Sequence, residues 1–486
     1  MSNPLLATKT FDQIETEHTG SPLKRALGPW QLTLLGVGCT IGTGIFVLTG
    51  LQAAQHAGPA IVLSFIIAGL GSLFAGLCYA EFSSMVPLAG SAYTYSYATL
   101  GEFAAWFIGW DLLLEYAVAA GTVAVGWSRY FVKFLHQLQL DLPAALTSAP
   151  FQAVTEGSMR LEKTGAIINL PAFAIALFAA GICYVGISES ARVNAFVVML
   201  KISVIVAVIG CGAFFVSSAN WHPFIPPNTG AWGNFGWSGV LRASGVIFFA
   251  YIGFDAVSTA AQEARNPHRD VPFGLLMGLG ICTLLYILMA AVLTGLVPYP
   301  QLNDAAPVAV ALEAHPQLKW LSVFVVPGAL LGLTSVILVL ILAQARILLA
   351  MSTDGLLPAG FGAVHEKFRT PHVATLVTGI FAALLGGLFP IGILSELVSI
   401  GTLLAFVMVC LGVLVLRYTR PAQPRPFRVL WPWFTCLAGA ASCVLMAVSL
   451  PSDTWIRLVI WAVAGILIYI FYSRHHSKLR RLKSDR

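Results

Sequence analysis

Residues 37–50 (VGCTIGTGIFVLTG) and 244–257 (SGVIFFAYIGFDAV), here named the first break and the second break, interrupt two long apolar segments near their middle. A helix that unwinds inside a lipid bilayer leaves backbone N–H and C=O groups that only a ligand, an ion or water can satisfy. Two such interruptions at the heads of two successive sets of five apolar segments indicate a solute site near the bilayer midplane. We therefore expect the fold and the binding site to be organised around these two breaks.

The composition places the chain among proteins that cross a membrane many times. Of its 486 residues, 58% are hydrophobic and only 10% are charged, and the mean hydropathy is +0.83. A transmembrane helix needs about 20 mainly apolar residues, and on that rule the sequence predicts an all-α, polytopic membrane protein with twelve transmembrane helices. The predicted spans, numbered 1 to 12, cover residues 31–55, 60–86, 101–131, 165–186, 190–217, 238–263, 272–297, 320–350, 372–390, 392–418, 431–450 and 454–473.

The spans divide the chain into five parts. We expect an amino-terminal tail, a first half with spans 1–5, a second half with spans 6–10, a further pair of spans and a basic carboxyl-terminal tail. These parts cover residues 1–30, 31–217, 238–418, 431–473 and 474–486. Most of the 27 basic residues fall on the side of the two tails, which predicts that both termini are cytoplasmic. The net charge of +6 fits attraction to membrane lipid and gives no reason to expect nucleic acid as a partner.

The first break contains a GTGIF run at residues 42–46. Glycine lowers the cost of leaving helical geometry and lets a ligand approach the backbone closely. The half-helix that starts there directs free N–H groups, those of Thr43, Gly44 and Ile45, into the site, where they suit a carboxylate. The alternative is that the two glycines form a packing seam between helices. The second break at the corresponding place in the other half favours the binding site.

The remaining backbone groups of the two breaks suit an ammonium. The preceding half-helix leaves carbonyl acceptors at Thr40 and Ile41, and the second break adds those of Phe249 and Ile252. The aromatic rings of Phe249 and Phe254 can close over a small ligand. An α-amino acid carries one charged group of each sign, so the sequence predicts that it binds across both breaks.

Long runs of this sequence resemble the amino acid–polyamine–organocation superfamily, and within it the cationic amino acid transporter branch and its bacterial relatives. The runs are LGVGCTIGTGIFVLTG, EFSSMVPLAGSAYTYSY, GWDLLLEYAVAAGTVAVGWS, YIGFDAVSTAAQEARNPHRDVP and QARILLAMSTDGLLP. The resemblance covers nearly the whole chain. It implies a LeuT-like, five-plus-five inverted-repeat fold in which helices 1 and 6 are discontinuous and helices 11 and 12 lie outside the repeat.

Lys201 lies near the middle of span 5, where a charged ammonium costs about 2.5 to 3.5 kcal/mol on insertion scales. About ten residues separate it from either end of the span, too far for the side chain to reach an interface. Burial disfavours the charged form of lysine, which permits reversible proton exchange. The resemblance implies that this lysine faces the unwound part of helix 1, where sodium-coupled relatives hold a cation. We therefore predict that Lys201 replaces sodium and couples transport to protons.

Span 3 carries Asp111 and Glu115 one helical turn apart, which indicates an inward, hydrated or paired environment. The resemblance places the glutamate of the GWDLLLEY run beside the substrate and the proton path, so Glu115 can partner Lys201 through water. For Asp111 we expect a structural ion pair or a helix-end hydrogen bond. Asp255, directly after residues 249–254 at the centre of the second break, is either a helix cap or a gate residue.

The sequence as a whole predicts a secondary active transporter that imports an L-amino acid by alternating access, with proton symport. It contains no HExxH, CxxC or GxxxxGK[ST] motif, so we expect neither an enzyme nor a cofactor or metal. Residues 339–343 of span 8 contain no acidic residue, which favours neutral substrates of broad range. The alternatives are a cationic amino acid or polyamine carrier or exchanger, and an amino acid sensor that moves no solute. We expect a multi-pass protein of a cell membrane, the bacterial inner membrane, and leave open a small membrane-protein partner.

Overall fold

The computed structural model describes residues 27–85, 91–154, 160–186 and 191–480, which are predominantly helical. The α-helices are α1 (Pro29–Thr40), α2 (Thr49–Gln52), α3 (Ile61–Met85), α4 (Ser91–Thr99), α5 (Glu102–Gln137), α6 (Leu170–Val185), α7 (Ala191–Ala213), α8 (Gly236–Ile247), α9 (Ala256–Thr259), α10 (Pro267–Leu296), α11 (Pro307–Glu313), α12 (Lys319–Thr353), α13 (His372–Leu388), α14 (Ile391–Thr419), α15 (Pro432–Ser449), α16 (Ser452–Ile468) and α17 (Arg474–His476). Short 3₁₀ or π-helical turns cover Gly44–Leu48, Ala53–Ala57, Gly58–Ala60, Ala144–Leu146, Ser218–Trp221, Phe248–Tyr251, Ala261–Glu263, Tyr299–Leu302, Pro316–Leu318, Ala359–Gly362 and Tyr469–Ser473. Strands β1 (Phe151–Ala153) and β2 (Leu161–Lys163) form a small antiparallel sheet, with Phe151 opposite Lys163.

Long apolar helices dominate this architecture, as the sequence predicts for a polytopic membrane protein. Nine helical segments among the described residues are long and apolar enough to cross a membrane, and α6 and α13 are shorter apolar helices. The fourth predicted span begins later than expected, because the Asn169 side chain accepts a hydrogen bond from the Ala172 N–H at 3.3 Å and caps α6. Helices α4 and α11 and the small sheet were not predicted.

The chain leaves helical geometry inside the first break. Helix α1 ends at Thr40, the backbone of Ile41 is extended (φ −73°, ψ 100°), and a π-helical turn begins at Gly44. A Cβ atom on Gly44 would lie 2.3 Å from the Cβ of Ala250 in the second break. Only glycine therefore lets the two breaks approach this closely.

The second break unwinds in the same way. Helix α8 ends at Ile247 and is followed by a 3₁₀ turn, after which Ile252 is extended (φ −65°, ψ 138°). Gly253 has a φ of +105°, a conformation that favours glycine. A Cβ on Gly253 would lie 2.8 Å from the carbonyl oxygen of Cys39. The backbones of the two breaks thus meet at two points, Gly44 with Ala250 and Gly253 with Cys39.

Helix α5 runs through the centre of the molecule and positions the site. It packs against α12, α13 and α14, while α10 packs against α1 and α3. A Cβ on Gly126 of α5 would lie 2.6 Å from the hydroxyl oxygen of Thr43. The first break is therefore in direct contact with this central helix.

Candidate functional site

The first break presents a row of unpaired backbone donors. Within the described chain, the N–H groups of Thr43, Gly44 and Ile45 donate to no backbone carbonyl. The hydroxyl oxygen of Thr43 is fully buried and also lacks a hydrogen-bond partner among the described residues. Because buried polar groups are normally paired, these donors are available to bind an anionic or strongly accepting group. They are the three N–H groups that the sequence assigned to a carboxylate.

Tyr286 of α10 connects the two breaks through its hydroxyl group. The oxygen lies 2.9 Å from the carbonyl oxygen of Thr40 and 2.8 Å from that of Ala250. The side chain is fully buried, and its ring lies 5.4 Å from that of Tyr251. The role of this residue was not predicted, because a tyrosine inside an apolar span has no distinctive pattern around it.

Lys201 of α7 reaches the end of α1 from the opposite side. Its Nζ donates to the carbonyl oxygen of Gly38 at 2.9 Å and to that of Ile41 at 3.4 Å. The residue is 1% exposed, and a Cβ on Gly332 of α12 would lie 3.0 Å from its Cε. The lysine therefore satisfies the carbonyl groups that α1 leaves free where it ends.

The other residues assigned to the substrate are buried around the two breaks. Phe249 and Ile252 are each 5% exposed. Phe254 is 1% exposed, and its ring lies 5.3 Å from that of Phe406 and 6.0 Å from that of Tyr79. These residues are therefore shielded from solvent, and we call this conformation closed.

Three buried carboxyl groups, one of them in the second break, interact with one another. Asp255 accepts a hydrogen bond from the Tyr116 hydroxyl at 2.6 Å, and Glu115 interacts electrostatically with both Asp255 and Asp111. The carboxylate oxygens of Glu115 have no hydrogen-bond partner among the described residues. Thr402 lies beside Glu115, but its hydroxyl donates to the carbonyl of Val398, at 3.0 Å.

The prediction for Asp111 was wrong. Both of its carboxylate oxygens lack a hydrogen-bond partner in the described chain, and the residue is 4% exposed. The ion pair or helix-end hydrogen bond that we expected is absent among the described residues. Asp111 is buried away from the ends of α5, beside the backbone of Gly401 of α14. A Cβ on Gly401 would lie 3.1 Å from Asp111 Oδ1.

The end of the molecule at which α5 begins carries a cluster that we name the tail contact, formed by Glu102 with residues 469–480. Glu102 is fully buried and accepts hydrogen bonds from Arg480 Nε at 2.8 Å, Tyr469 Oη at 3.1 Å and Tyr97 Oη at 3.2 Å. Ser477 also donates to this carboxylate. The chain after α16 is therefore held against the start of α5.

Comparison with known proteins agrees with this architecture. The family model described as amino acid permease matches residues 27–472. The chain is 45% identical to the methylthioribose transporter of Bacillus subtilis (strain 168), over 98% of this chain and 99% of that one. It is 46% identical to the branched-chain amino acid permease BcaP of the same organism, over 94% and 95%. It is 38% identical to cationic amino acid transporter 3, mitochondrial, of Arabidopsis thaliana, over 87% and 68%. These relatives are transporters and not enzymes, and the chain belongs to the amino acid permease family of the amino acid–polyamine–organocation superfamily, which confirms the resemblance seen in its sequence.

Proposed function

We propose that this permease imports a neutral L-amino acid, whose carboxylate binds the N–H groups of Thr43, Gly44 and Ile45. The observation that carries the proposal is the set of three unpaired donors beside a buried, unpaired hydroxyl at the first break. An anion at the start of a helix also gains from the helix dipole. A carboxylate supplies a negative charge and the acceptor atoms that these N–H groups and the Thr43 hydroxyl lack.

The ammonium group binds carbonyl oxygens of Thr40, Ile41, Phe249 and Ile252. In the closed conformation the first two already accept hydrogen bonds, Thr40 from Tyr286 and Ile41 from Lys201. A carbonyl oxygen has two lone pairs, so each can accept a further bond from an ammonium. Phe249 and Phe254 move aside as gates when the substrate enters.

The proposed side-chain pocket favours neutral substrates. The buried residues around the breaks are mainly apolar, and residues 339–343 of α12 contain no acid. BcaP carries the description of a branched-chain amino acid permease, which fits such a pocket. Methylthioribose, named for another relative, has no carboxylate for the unpaired donors.

A cationic amino acid is the second candidate substrate. The buried carboxyl groups of Asp111, Glu115 and Asp255 interact electrostatically, and together they can attract a cationic side chain. Relatives from Arabidopsis thaliana are described as cationic amino acid transporters.

We also propose that the import is coupled to protons, with Lys201 and Glu115 as the exchanging groups. The Lys201 ammonium takes the place of a cation against the carbonyls of Gly38 and Ile41. Deprotonation of Lys201 would remove its positive charge from the end of α1 and weaken its hydrogen bonds to those carbonyls. A weaker contact there is a physical reason for the first break to move.

The architecture proposed for this mechanism has twelve spans in a LeuT-like, five-plus-five inverted repeat, with both termini cytoplasmic. The two repeats cover 31–217 and 238–418, and the further pair of spans covers 431–473. The support is that each proposed repeat begins with a helix that unwinds, after α1 and after α8. Rocking of one group of helices against another then exposes the breaks to each side in turn.

Uptake into proteoliposomes tests the proposed function. The substrate panel contains labelled leucine, alanine, arginine and methylthioribose, with an imposed proton gradient and without sodium. We expect the gradient to drive accumulation of the neutral amino acids, and Lys201→Ala to abolish that accumulation. Lys133→Ala is the matched control, because Lys133 pairs with Glu313 at 2.6 Å at the far end of α5.

Three results would contradict parts of this proposal. A requirement for sodium, or undiminished gradient-driven uptake by Lys201→Ala, would contradict proton coupling. Uptake of arginine or methylthioribose alone would contradict a neutral amino acid as substrate. Tight binding of an amino acid without any uptake would identify a sensor.

A further inference from the structure

Asp111 is a buried carboxyl group that neither the fold nor the site proposed for a neutral substrate uses. It lies on α5, the helix that also carries Glu115 four residues later. At 1.5 Å per residue, its backbone is about 6 Å closer than that of Glu115 to the end where Glu102 lies. Both of its carboxylate oxygens lack a hydrogen-bond partner among the described residues.

An unpaired carboxylate at this position would be very unstable. Burial of a charge without a partner is strongly unfavourable, and such a group takes up a proton instead. Glu115, one turn along α5, is a titratable group that interacts electrostatically with Asp111. The helices that pack on this part of α5 contribute Gln344 from α12 and the backbone of Gly401 from α14. None of these groups supplies a positive charge, so Asp111 holds a proton in the closed conformation.

The carboxyl groups form a series that leads away from the breaks. Cys39, at the end of α1, interacts electrostatically with both Lys201 and Asp255. Asp255 accepts a hydrogen bond from the hydroxyl of Tyr116, the neighbour of Glu115. Asp111 lies one turn before Glu115 on α5. The series therefore runs from the end of α1 towards the end of the molecule that carries the tail contact.

We propose that Asp111 is the last proton-carrying group inside the membrane, between Glu115 and the cytoplasmic water. This inference rests on the proposed proton coupling and adds an exit step to it. When the inner side opens, the O–H bond of Asp111 breaks and water takes the proton, leaving a carboxylate. The O–H bond of Glu115 then breaks as its proton passes to Asp111, which becomes neutral again. No oxidant, reductant or other reactant is required.

A structural role and a proton-carrying role predict different results for Asp111→Asn. Asparagine has nearly the same shape, and the described chain offers no hydrogen bond that the substitution would remove. A purely structural residue would therefore tolerate it in every transport assay. A proton carrier would lose function only in assays that require net movement of protons.

The experiment uses full-length protein in proteoliposomes with labelled leucine and a pH-sensitive dye inside. We expect Asp111→Asn to exchange internal for external leucine at the wild-type rate, since exchange needs no net proton movement. Accumulation driven by the proton gradient and dye-reported proton entry should both fall by about 100-fold, the lower end of what a positioned proton-transfer group contributes. Asp111→Glu, which restores a carboxyl group, should recover part of both signals.

The matched control is Asp453→Asn, which changes another buried aspartate, on α16, that pairs with Arg457. It should keep gradient-driven accumulation. Wild-type proton entry and accumulation in Asp111→Asn would overturn the role of Asp111 alone. Absence of proton entry in the wild-type protein would overturn the proton coupling itself, and this inference with it. Loss of both exchange and accumulation in a well-folded Asp111→Asn would identify a substrate-binding residue and would also overturn it.

Discussion

Gly42 and Gly44 lie two residues apart in the first break, yet the structure predicts opposite results when each is replaced by alanine. A Cβ on Gly44 would lie 2.3 Å from the Cβ and 2.5 Å from the Cα of Ala250. A Cβ on Gly42 would lie 3.5 Å from the nearest methyl carbon of Val336, an ordinary contact. Gly42→Ala is therefore a matched control for Gly44→Ala in the same motif.

The size of the effect follows from the overlap. Carbon atoms pack at about 3.5 to 4.0 Å, whereas the added Cβ would lie 2.3 Å from the Cβ of Ala250. Gly44→Ala must therefore move the two breaks apart by about the difference between these distances, which is more than about 1 Å. The contact includes the backbone Cα and N atoms of Ala250, which cannot rotate away. Overpacking of this kind costs about 1 to 3 kcal/mol, which corresponds to about 5- to 140-fold in an equilibrium constant.

The assays are thermal unfolding of the detergent-solubilised protein and leucine affinity from substrate-induced stabilisation. We expect Gly44→Ala to unfold at a lower temperature and to bind leucine 5-fold or more weakly, about the lower limit of that range. Gly42→Ala should match the wild-type protein in both assays. Equal behaviour of the two variants would refute the conclusion that the breaks are in contact at Gly44.

The remaining predictions concern the tail contact and the tyrosine between the breaks. Arg480→Ala should destabilise the protein by about 3 to 5 kcal/mol, because it leaves the buried carboxylate of Glu102 without its cation. Glu102→Gln should cost less, since it leaves Arg480 partly exposed to water, and equal melting temperatures of the two variants would contradict the pairing. Tyr286→Phe should weaken leucine binding and lower the melting temperature by the equivalent of about 1 to 3 kcal/mol, because two buried carbonyls, of Thr40 and Ala250, lose their donor. Wild-type affinity and stability in Tyr286→Phe would show that these bonds contribute little.

Much of the fold could be predicted because a transmembrane helix is recognisable from its own stretch of sequence. A span is read from about 20 consecutive apolar residues, and a break from glycine and polar residues within it. Lys201 could be placed against α1 only through the family resemblance. The late start of α6 could not be predicted, because its cap depends on a single side chain, Asn169.

The parts of the site that escaped prediction depend on contacts between distant segments. The bridge made by Tyr286 exists because two carbonyls of different helices point at one hydroxyl. Likewise, a lone aspartate in a span is expected to find a partner, and only the packing of α14 on α5 reveals that Asp111 has none among the described residues. Such pairings are set by three-dimensional proximity, which a single sequence does not contain.

The hydroxyl of Tyr286 has one hydrogen atom and two acceptors at nearly equal distances, 2.9 and 2.8 Å. In the closed conformation, the two carbonyls share this hydrogen. When either half-helix moves away, the hydrogen turns fully towards the carbonyl that remains, and that bond becomes straighter and stronger. Movement of one half-helix therefore strengthens the hydrogen bond between Tyr286 and the other half-helix. As a result, outward and inward opening each favour movement of a single half-helix.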